Sequence, residues 1–241
     1  MFVTEMPNKN IHKKGFSPEP PEGCDLSRER ILLHCCCAPC STAIIEWMVG
    51  VGLRPGIFFS NSNIVPFREY SIRRDELIRY AAAHGLETID DEYDHSAWLA
   101  FVRRLETSPA AVPVETLRIA EMPERGPRCL ECFKFRLLRA ACYAAANGYT
   151  ILTTTLASSR WKDLVQVNAA GRWACDVVNG IYDGGCAIDS EVNQPLSGRN
   201  EVSWWNQNWR RGGLQERRNA LIKEWDMYNQ TFCGCEFSER H

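Results

Sequence analysis

Ile31-Leu32-Leu33-His34-Cys35-Cys36-Cys37-Ala38-Pro39-Cys40-Ser41-Thr42-Ala43-Ile44-Ile45-Glu46-Trp47-Met48-Val49-Gly50 is the stretch that decides the fold. Ile31 to Leu33 is a short apolar run that reads as a buried strand. Ala43 to Val49 reads as a helix, closed by Gly50 and Gly52. The cysteines between them therefore sit on a strand-to-helix turn. In open α/β sheets that is where ligands bind, beyond the carboxyl end of a strand.

The same unit recurs outward from this stretch. Gly56-Ile57-Phe58-Phe59 reads as a strand and Asn61-Ser62-Asn63 as a polar turn, followed by a helix over 67–84 with Ile72, Leu77, Ile78 and Ala81 at helical spacing. Glu87-Thr88-Ile89 is a third strand, and 95–105 is helical. Residues 107–127 are proline-rich and read as a loop. A helix over 130–147 places Phe133, Leu137, Leu138, Ala141 and Ala145 on one face, with Gly148 past its end. Tyr149–Thr154 reads as a strand, with a further helix beginning in 158–170. This alternation predicts an α/β fold, Rossmann-like, with a mostly parallel sheet and helices on both faces. Residues 1–29 read as a flexible tail and 30–241 as one catalytic domain. Within it, 172–210 reads as a loop-rich insertion and 214–228 as the last helix.

Hydrophobic residues make up 45% and charged residues 24% of the 241, enough apolar material for a buried core. No run approaches the roughly 18 apolar residues of a membrane span. The first residues, MFVTEMPNKNIHKKGF, lack the apolar core of a secretory signal, so the sequence predicts a cytoplasmic protein. A net charge of −2 gives no global field for nucleic acid. Local basic clusters at Arg73-Arg74, Arg103-Arg104, Lys134/Arg136/Arg139, Arg210-Arg211 and Arg217-Arg218 are either solvated faces or, if folding gathers them, a phosphate grip.

Cysteine is the anomaly, with twelve in a chain read as cytoplasmic, where disulfides are disfavoured. Thiolates suit zinc or iron–sulfur clusters. Cys129-x-x-Cys132 and Cys37-x-x-Cys40 each stand at a helix start, where the dipole favours the thiolate, and Cys233-Gly234-Cys235 lies near the end of the chain. Cys36, Cys37, Cys40, Cys129, Cys132, Cys233 and Cys235 make seven candidate ligands. Seven suit a four-cysteine cluster plus a second metal with three protein ligands and an open position. Cys24, Cys142, Cys175 and Cys186 are isolated and read as core. Cys35 reads the same way, because three consecutive strand-end residues cannot all face one site. Two other readings stay open: a thiol–disulfide oxidoreductase using Cys37 and Cys40, and a zinc-stapled RNA-binding module. A phosphate-holding S-G-G-x-D-S loop is absent from the sequence.

These stretches resemble one family in order along the chain. His34–Cys40 is similar to the H-x-C-C-A-P-C motif of the QueH-type epoxyqueuosine reductases, and Asn61–Tyr70 to their N-P-N-I-H-P-Y-E-E-Y, with Val65 at the histidine position. Asp91–Asp94 resembles a D-Y-D stretch, and Glu124–Phe133 resembles E-R-G-x-R-C-x-x-C-F. Thr153–Leu156 resembles T-T-T-L, and Tyr228–Cys235 resembles Y-R-Q-x-Y-C-G-C. The likeness spans roughly residues 30–238. It implies a nucleotide α-hydrolase-like sheet and reduction of epoxyqueuosine to queuosine in tRNA. It also implies a [4Fe–4S] cluster and a second metal, iron or zinc, in place of cobalamin. On that basis Cys129 and Cys132, with one of Cys36/Cys37 and one of Cys233/Cys235, hold the cluster, and the remaining cysteines with Cys40 hold the second metal. Asp94, Tyr93 and His34 are candidate proton donors. Arg125, Arg128, Lys162, Arg210 and Arg211 are candidate tRNA contacts. An external electron donor is implied.

Overall fold

The computed structural model describes residues 16–106, 118–181 and 200–238. Its sheet has five strands, all parallel, in the order β3-β2-β1-β4-β5. These are β1 (Ile31–Cys35), β2 (Gly56–Phe59), β3 (Thr88–Asp90), β4 (Ile151–Thr154) and β5 (Ser203–Trp204). The helices are α1 (Ala38–Gly50), α2 (Phe67–Ala83), α3 (His95–Arg103), α4 (Pro127–Ala146), α5 (Leu164–Val178) and α6 (Leu214–Glu224). One layer is made by α1, α2 and α6, and the other by α3, α4 and α5. Leu32, Leu33, Ile57, Phe58, Phe59, Ile151 and Leu152 are buried between them. Each such side chain contributes roughly 1.5–3 kcal/mol through burial, which is why runs of only three or four apolar residues suffice as strands.

The expected α/β fold is the observed one. The chain leaves β1 toward β2 and β3, then returns to lay β4 on the other side of β1. The connections diverge at the carboxyl ends of β1 and β4, the switch point where ligands sit in such sheets. The cysteine turn follows β1, and a short 3-10 turn, Thr155–Ser158, follows β4.

Several expected boundaries shift. Helix α4 begins at Pro127, three residues earlier than its periodicity suggests, because Pro39-like placement of a proline in the first turn needs no N–H. On α2 the inward face is Tyr70, Arg73, Leu77, Tyr80 and Ala81, while Ile78 is exposed. The stretch 172–210 is not loop throughout: α5 runs to Val178, and Ser203–Trp204 forms the edge strand, while 182–199 lie outside the described residues. Gly171 lets α5 cross β5, since a Cβ there would strike the Trp204 indole. Helix α6 ends at Glu224 rather than 228. Of the expected tail, 1–15 are outside the described residues, whereas Phe16 packs against Trp47 and Trp209, and the Glu19 carbonyl accepts from the Trp205 indole at 2.7 Å. Among the described residues no helix is long and apolar enough to cross a membrane.

Candidate metal centre

The turn after β1 converges three thiols. Cys37 is the extended N-cap of α1 and Pro39 stands in its first turn, which brings Cys40 back over Cys36. The sulfurs of Cys36, Cys37 and Cys40 lie within 4.8 Å of one another. Cys35 points the other way, fully buried, with its thiol toward the Leu33 carbonyl at 3.5 Å. Cys37 and Cys40 are therefore not an isolated pair but part of a three-sulfur group. Hydrogen bonds from Cys37 and Cys40 hold the Cys36 thiol well below its ordinary range, and burial pushes Cys37 well above it. Two side chains donate into the group: Gln230 Nε2 to Cys37 Sγ at 2.7 Å, and Thr155 Oγ1 to Cys36 Sγ at 3.5 Å.

Four more thiols gather from two distant segments. Cys129 and Cys132 lie in the first turns of α4, and Cys233 and Cys235 come from the chain end. Arg73 holds that end through the Cys233 and Phe232 carbonyls at 2.8 and 3.3 Å, and is itself paired with Glu69 at 2.7 Å. Gly234 adopts φ +105°, and a side chain there would press on Ile64 and Arg73. Cys233, Cys129, Cys132 and Cys235 lie near enough to influence one another's ionisation. The neighbouring Cys235 thiol and the Lys162 ammonium depress the Cys233 thiol, while burial raises Cys129 to about 11. Lys162 Nζ donates to Cys233 Sγ at 2.7 Å. Burial alone would lower the Lys162 pKa, but the Cys233 sulfur more than offsets this and raises it.

Both groups open onto one cavity of about 140 Å³, with Cys36, Cys40 and Cys233 on its lining alongside Asn63, Lys162 and Gln230. Arg136 also lines it, one helical turn beyond Cys132. Its side chain is 2% exposed and bonds the Ser60 carbonyl at 3.2 Å and Asn61 Oδ1. Among the described residues it has no carboxylate partner. A buried guanidinium costs several kcal/mol unless opposite charge faces it. The thiolates are the charge available, so soft anionic donors faced by buried cations fit thiolate-bound metal. The Asn63 Oδ1 and Gln230 Oε1 atoms are buried without partners, leaving two acceptors at the cavity unused by the protein.

Other candidate residues fall elsewhere. His34 is fully buried, with Nδ1 2.7 Å from Thr154 Oγ1 and Nε2 3.1 Å from the Ser60 carbonyl. Burial, and then Arg136, lower its pKa to about 3, so it is neutral at pH 7. The Asp94 carboxylate caps α3 by accepting from the Ala97 amide at 2.8 Å, and the Tyr93 hydroxyl donates to the Ile64 carbonyl at 2.8 Å. None of these three lines the cysteine cavity; Glu124 and Lys162 are its acid–base groups other than cysteine and arginine. Arg128 is not a surface contact: it is 2% exposed and donates to the Ile119 and Phe237 carbonyls at 2.7 and 3.3 Å. Lys162 likewise turns inward to Cys233. Arg210 is half-buried and ties the Ser159 and Lys162 carbonyls at 2.5 and 2.6 Å. Only Arg125 and Arg211 of that set are exposed. Sequence reasoning missed the roles of Arg73, Arg136, Thr155 and Gln230. The Cys132-to-Arg136 spacing of four residues was the one available signal, since it places both on one helix face.

A sequence model described as epoxyqueuosine reductase QueH matches residues 31–182 and 187–241. The epoxyqueuosine reductase QueH of Histophilus somni is 36% identical over 211 residues, covering 88% of this chain and 72% of that protein. That of Acinetobacter baylyi is 34% identical over 212 residues, covering 88% and 81%. The Haemophilus influenzae protein of the same name is 35% identical over 222 residues, covering 92% and 75%. With both cysteine groups inside the matched span, the chain belongs to the QueH family of epoxyqueuosine reductases, which are oxidoreductases.

Proposed function

We propose that this protein reduces the epoxide of epoxyqueuosine to give queuosine at the wobble position of tRNA, in the cytoplasm and without cobalamin. The observation that carries the reading is that the three-sulfur turn and the chain-end thiols meet at one cavity, lined by Cys36, Cys40 and Cys233, beside buried Arg136 and half-buried Lys162. In place of the mixed ligand split expected from the sequence, Cys129, Cys132, Cys233 and Cys235 would hold a [4Fe–4S] cluster, and Cys36, Cys37 and Cys40, whose sulfurs already converge, a second metal with one position open. When bound, the cluster supplies electrons one at a time and the second metal, iron or zinc, polarises the epoxide oxygen. Converting the epoxide to an alkene takes two electrons and two protons and releases the oxygen as water; an external donor would provide the electrons.

The remaining work falls to the chain's own residues. Arg136 and Lys162 offset thiolate charge, and the Gln230 amide and Thr155 hydroxyl fix sulfur orientation. Ile64, Leu156 and Phe232 supply apolar wall that limits water. Asn63 Oδ1 and Gln230 Oε1 accept from N–H or O–H groups of the bound base, which would give them the partners they lack. A base can reach such a cavity only when splayed from its stack.

The test is anaerobic purification with iron, sulfide and zinc analysis, followed by turnover of tRNA bearing epoxyqueuosine. A brown protein with about four or five irons per chain that forms queuosine supports the reading. A colourless protein holding zinc and no sulfide after cluster reconstitution would overturn it in favour of a zinc-stapled RNA binder.

A further inference from the structure

Of the eight tryptophans, four are buried, Trp173, Trp204 and Trp225 are half-buried, and one is exposed. Trp98, Trp205 and Trp209 are at most 1% exposed and Trp47 is 5% exposed, as the apolar bulk of the side chain dictates. Trp161 is 64% exposed, yet it lines the cysteine cavity. Four residues on, in the first turn of α5, Val165 is also exposed, at 76%. The Trp161 indole thus stands open at the mouth of the site.

The turn that carries it is held in place rather than left loose. The Arg125 guanidinium donates to the Trp161 and Arg160 carbonyls at 3.1 and 3.0 Å, and Arg210 ties the carbonyls on either side, Ser159 and Lys162. The Lys162 amide closes the turn on the Ser159 carbonyl at 3.1 Å. The Arg160 guanidinium lies over the Trp161 ring, 5.1 Å from its centroid. Two arginines therefore hold the backbone of the turn, and a third lies over its exposed indole. Two carboxylates are near: Glu124 on the cavity lining, and Asp163, which is engaged by the Val165 and Gln166 amides as the cap of α5.

We propose that Trp161 is a stacking platform for a nucleobase flanking the one that enters the cavity, with Arg125 and Arg160 facing the adjoining phosphates. The inference rests on the RNA-substrate reading of the site and adds the surface that holds the strand. A partner with a flat π-face and a negative backbone matches an exposed indole flanked by the Arg160 and Arg125 guanidinium groups, and single-stranded RNA has both. Prior fixing of the loop by Arg125 and Arg210 lowers the ordering cost of binding.

The experiment is a coupling cycle on the metal-loaded protein. Binding of a fluorescent anticodon stem-loop is measured by anisotropy for wild type, Trp161→Ala and Trp161→Phe. Each is paired with RNA that is intact or made abasic at one of the two nucleotides flanking the wobble position. Trp161→Ala should weaken binding of intact RNA by roughly 5- to 150-fold, and Trp161→Phe should recover most of that. At one flanking position, the abasic RNA should lose affinity for wild type and lose almost none for Trp161→Ala. Iron and sulfide content should match wild type in all variants. Losses that simply multiply at both positions, or wild-type affinity in Trp161→Ala, would overturn the assignment of Trp161 while leaving the site reading intact. Wild-type protein that neither binds the stem-loop nor turns over the tRNA would overturn the site reading itself.

Discussion

The two cysteine groups are built in opposite ways. Cys36, Cys37 and Cys40 come from five consecutive residues, and a single strand-to-helix turn suffices to converge them. Cys129 and Cys132 start α4, whereas Cys233 and Cys235 come from residues 225–238, which form no helix or strand. That end is pinned by two side chains, Arg73 on its carbonyls and Arg128 on the Phe237 carbonyl, and by one backbone bond, from the Val65 amide to the Gly234 carbonyl at 2.9 Å. The first group is a local motif and the second a tertiary assembly. The first should therefore survive damage elsewhere in the fold, and the second should fail when its pins are removed.

Arg73→Ala is the strongest way to break that contrast. Arg73 is 3% exposed and its removal takes the only ion pair the described residues give to buried Glu69, leaving it the Tyr228 hydroxyl alone, a loss of about 3–5 kcal/mol. Chemical denaturation should register a loss of that size. Metal analysis should show iron and sulfide falling away while one tightly held metal per chain persists at Cys36, Cys37 and Cys40. Equal loss from both groups would mean that the three-sulfur turn depends on the chain end as well.

A second pair of variants sharpens the comparison electrostatically. Each group receives one 2.7 Å hydrogen bond to sulfur: from a charged donor, Lys162, to Cys233, and from a neutral one, Gln230, to Cys37. Bonds to charged groups contribute about 1.5–3 kcal/mol and neutral ones about 0.5–1.5. Lys162→Met should therefore lower iron–sulfur retention by the larger amount, read as the chelator concentration that strips half the iron. Gln230→Leu should weaken metal held by the three-sulfur group by the smaller amount. The reverse order would show that charge on Lys162 is not what steadies Cys233.

The same contrast governs what the sequence made legible. Strands β1, β2 and β4 are short apolar runs, and the cysteine turn follows β1 directly, so fold class and the first group could be read from neighbouring residues. Strand β5 could not: two half-buried residues, Ser203 and Trp204, carry no periodicity, and Gly171 looks like a helix breaker although it is where α5 clears Trp204. Charge was visible in the sequence, but its direction was not. Arg128 and Lys162 resemble phosphate contacts by residue type, yet α4 packing turns Arg128 onto Ile119 and Phe237, and the Thr155–Ser158 turn with its following loop turns Lys162 onto Cys233. Trp161 carried no signal of its own, because its exposure is informative only beside the other tryptophans, which are buried or half-buried.

Cys35→Ala should have the smallest effect on either group. It lies between His34 and Cys36 in the densest run of cysteines, so residue type alone makes it a candidate ligand. Strand alternation decides otherwise: its side chain is fully buried in the core, while the turn that follows β1 presents Cys36. Truncation removes one sulfur atom from a packed interior, a loss of about 1 kcal/mol, seen as a small drop in the denaturation midpoint. Metal content and chelator resistance should equal wild type. Cys36→Ala, one residue along, should lose the metal of its group, because two sulfurs do not complete a site that needs at least three protein ligands. If Cys35→Ala lost metal too, the direction of side chains at the end of β1 would have to be reversed, and the three-sulfur group would no longer be the product of that local turn.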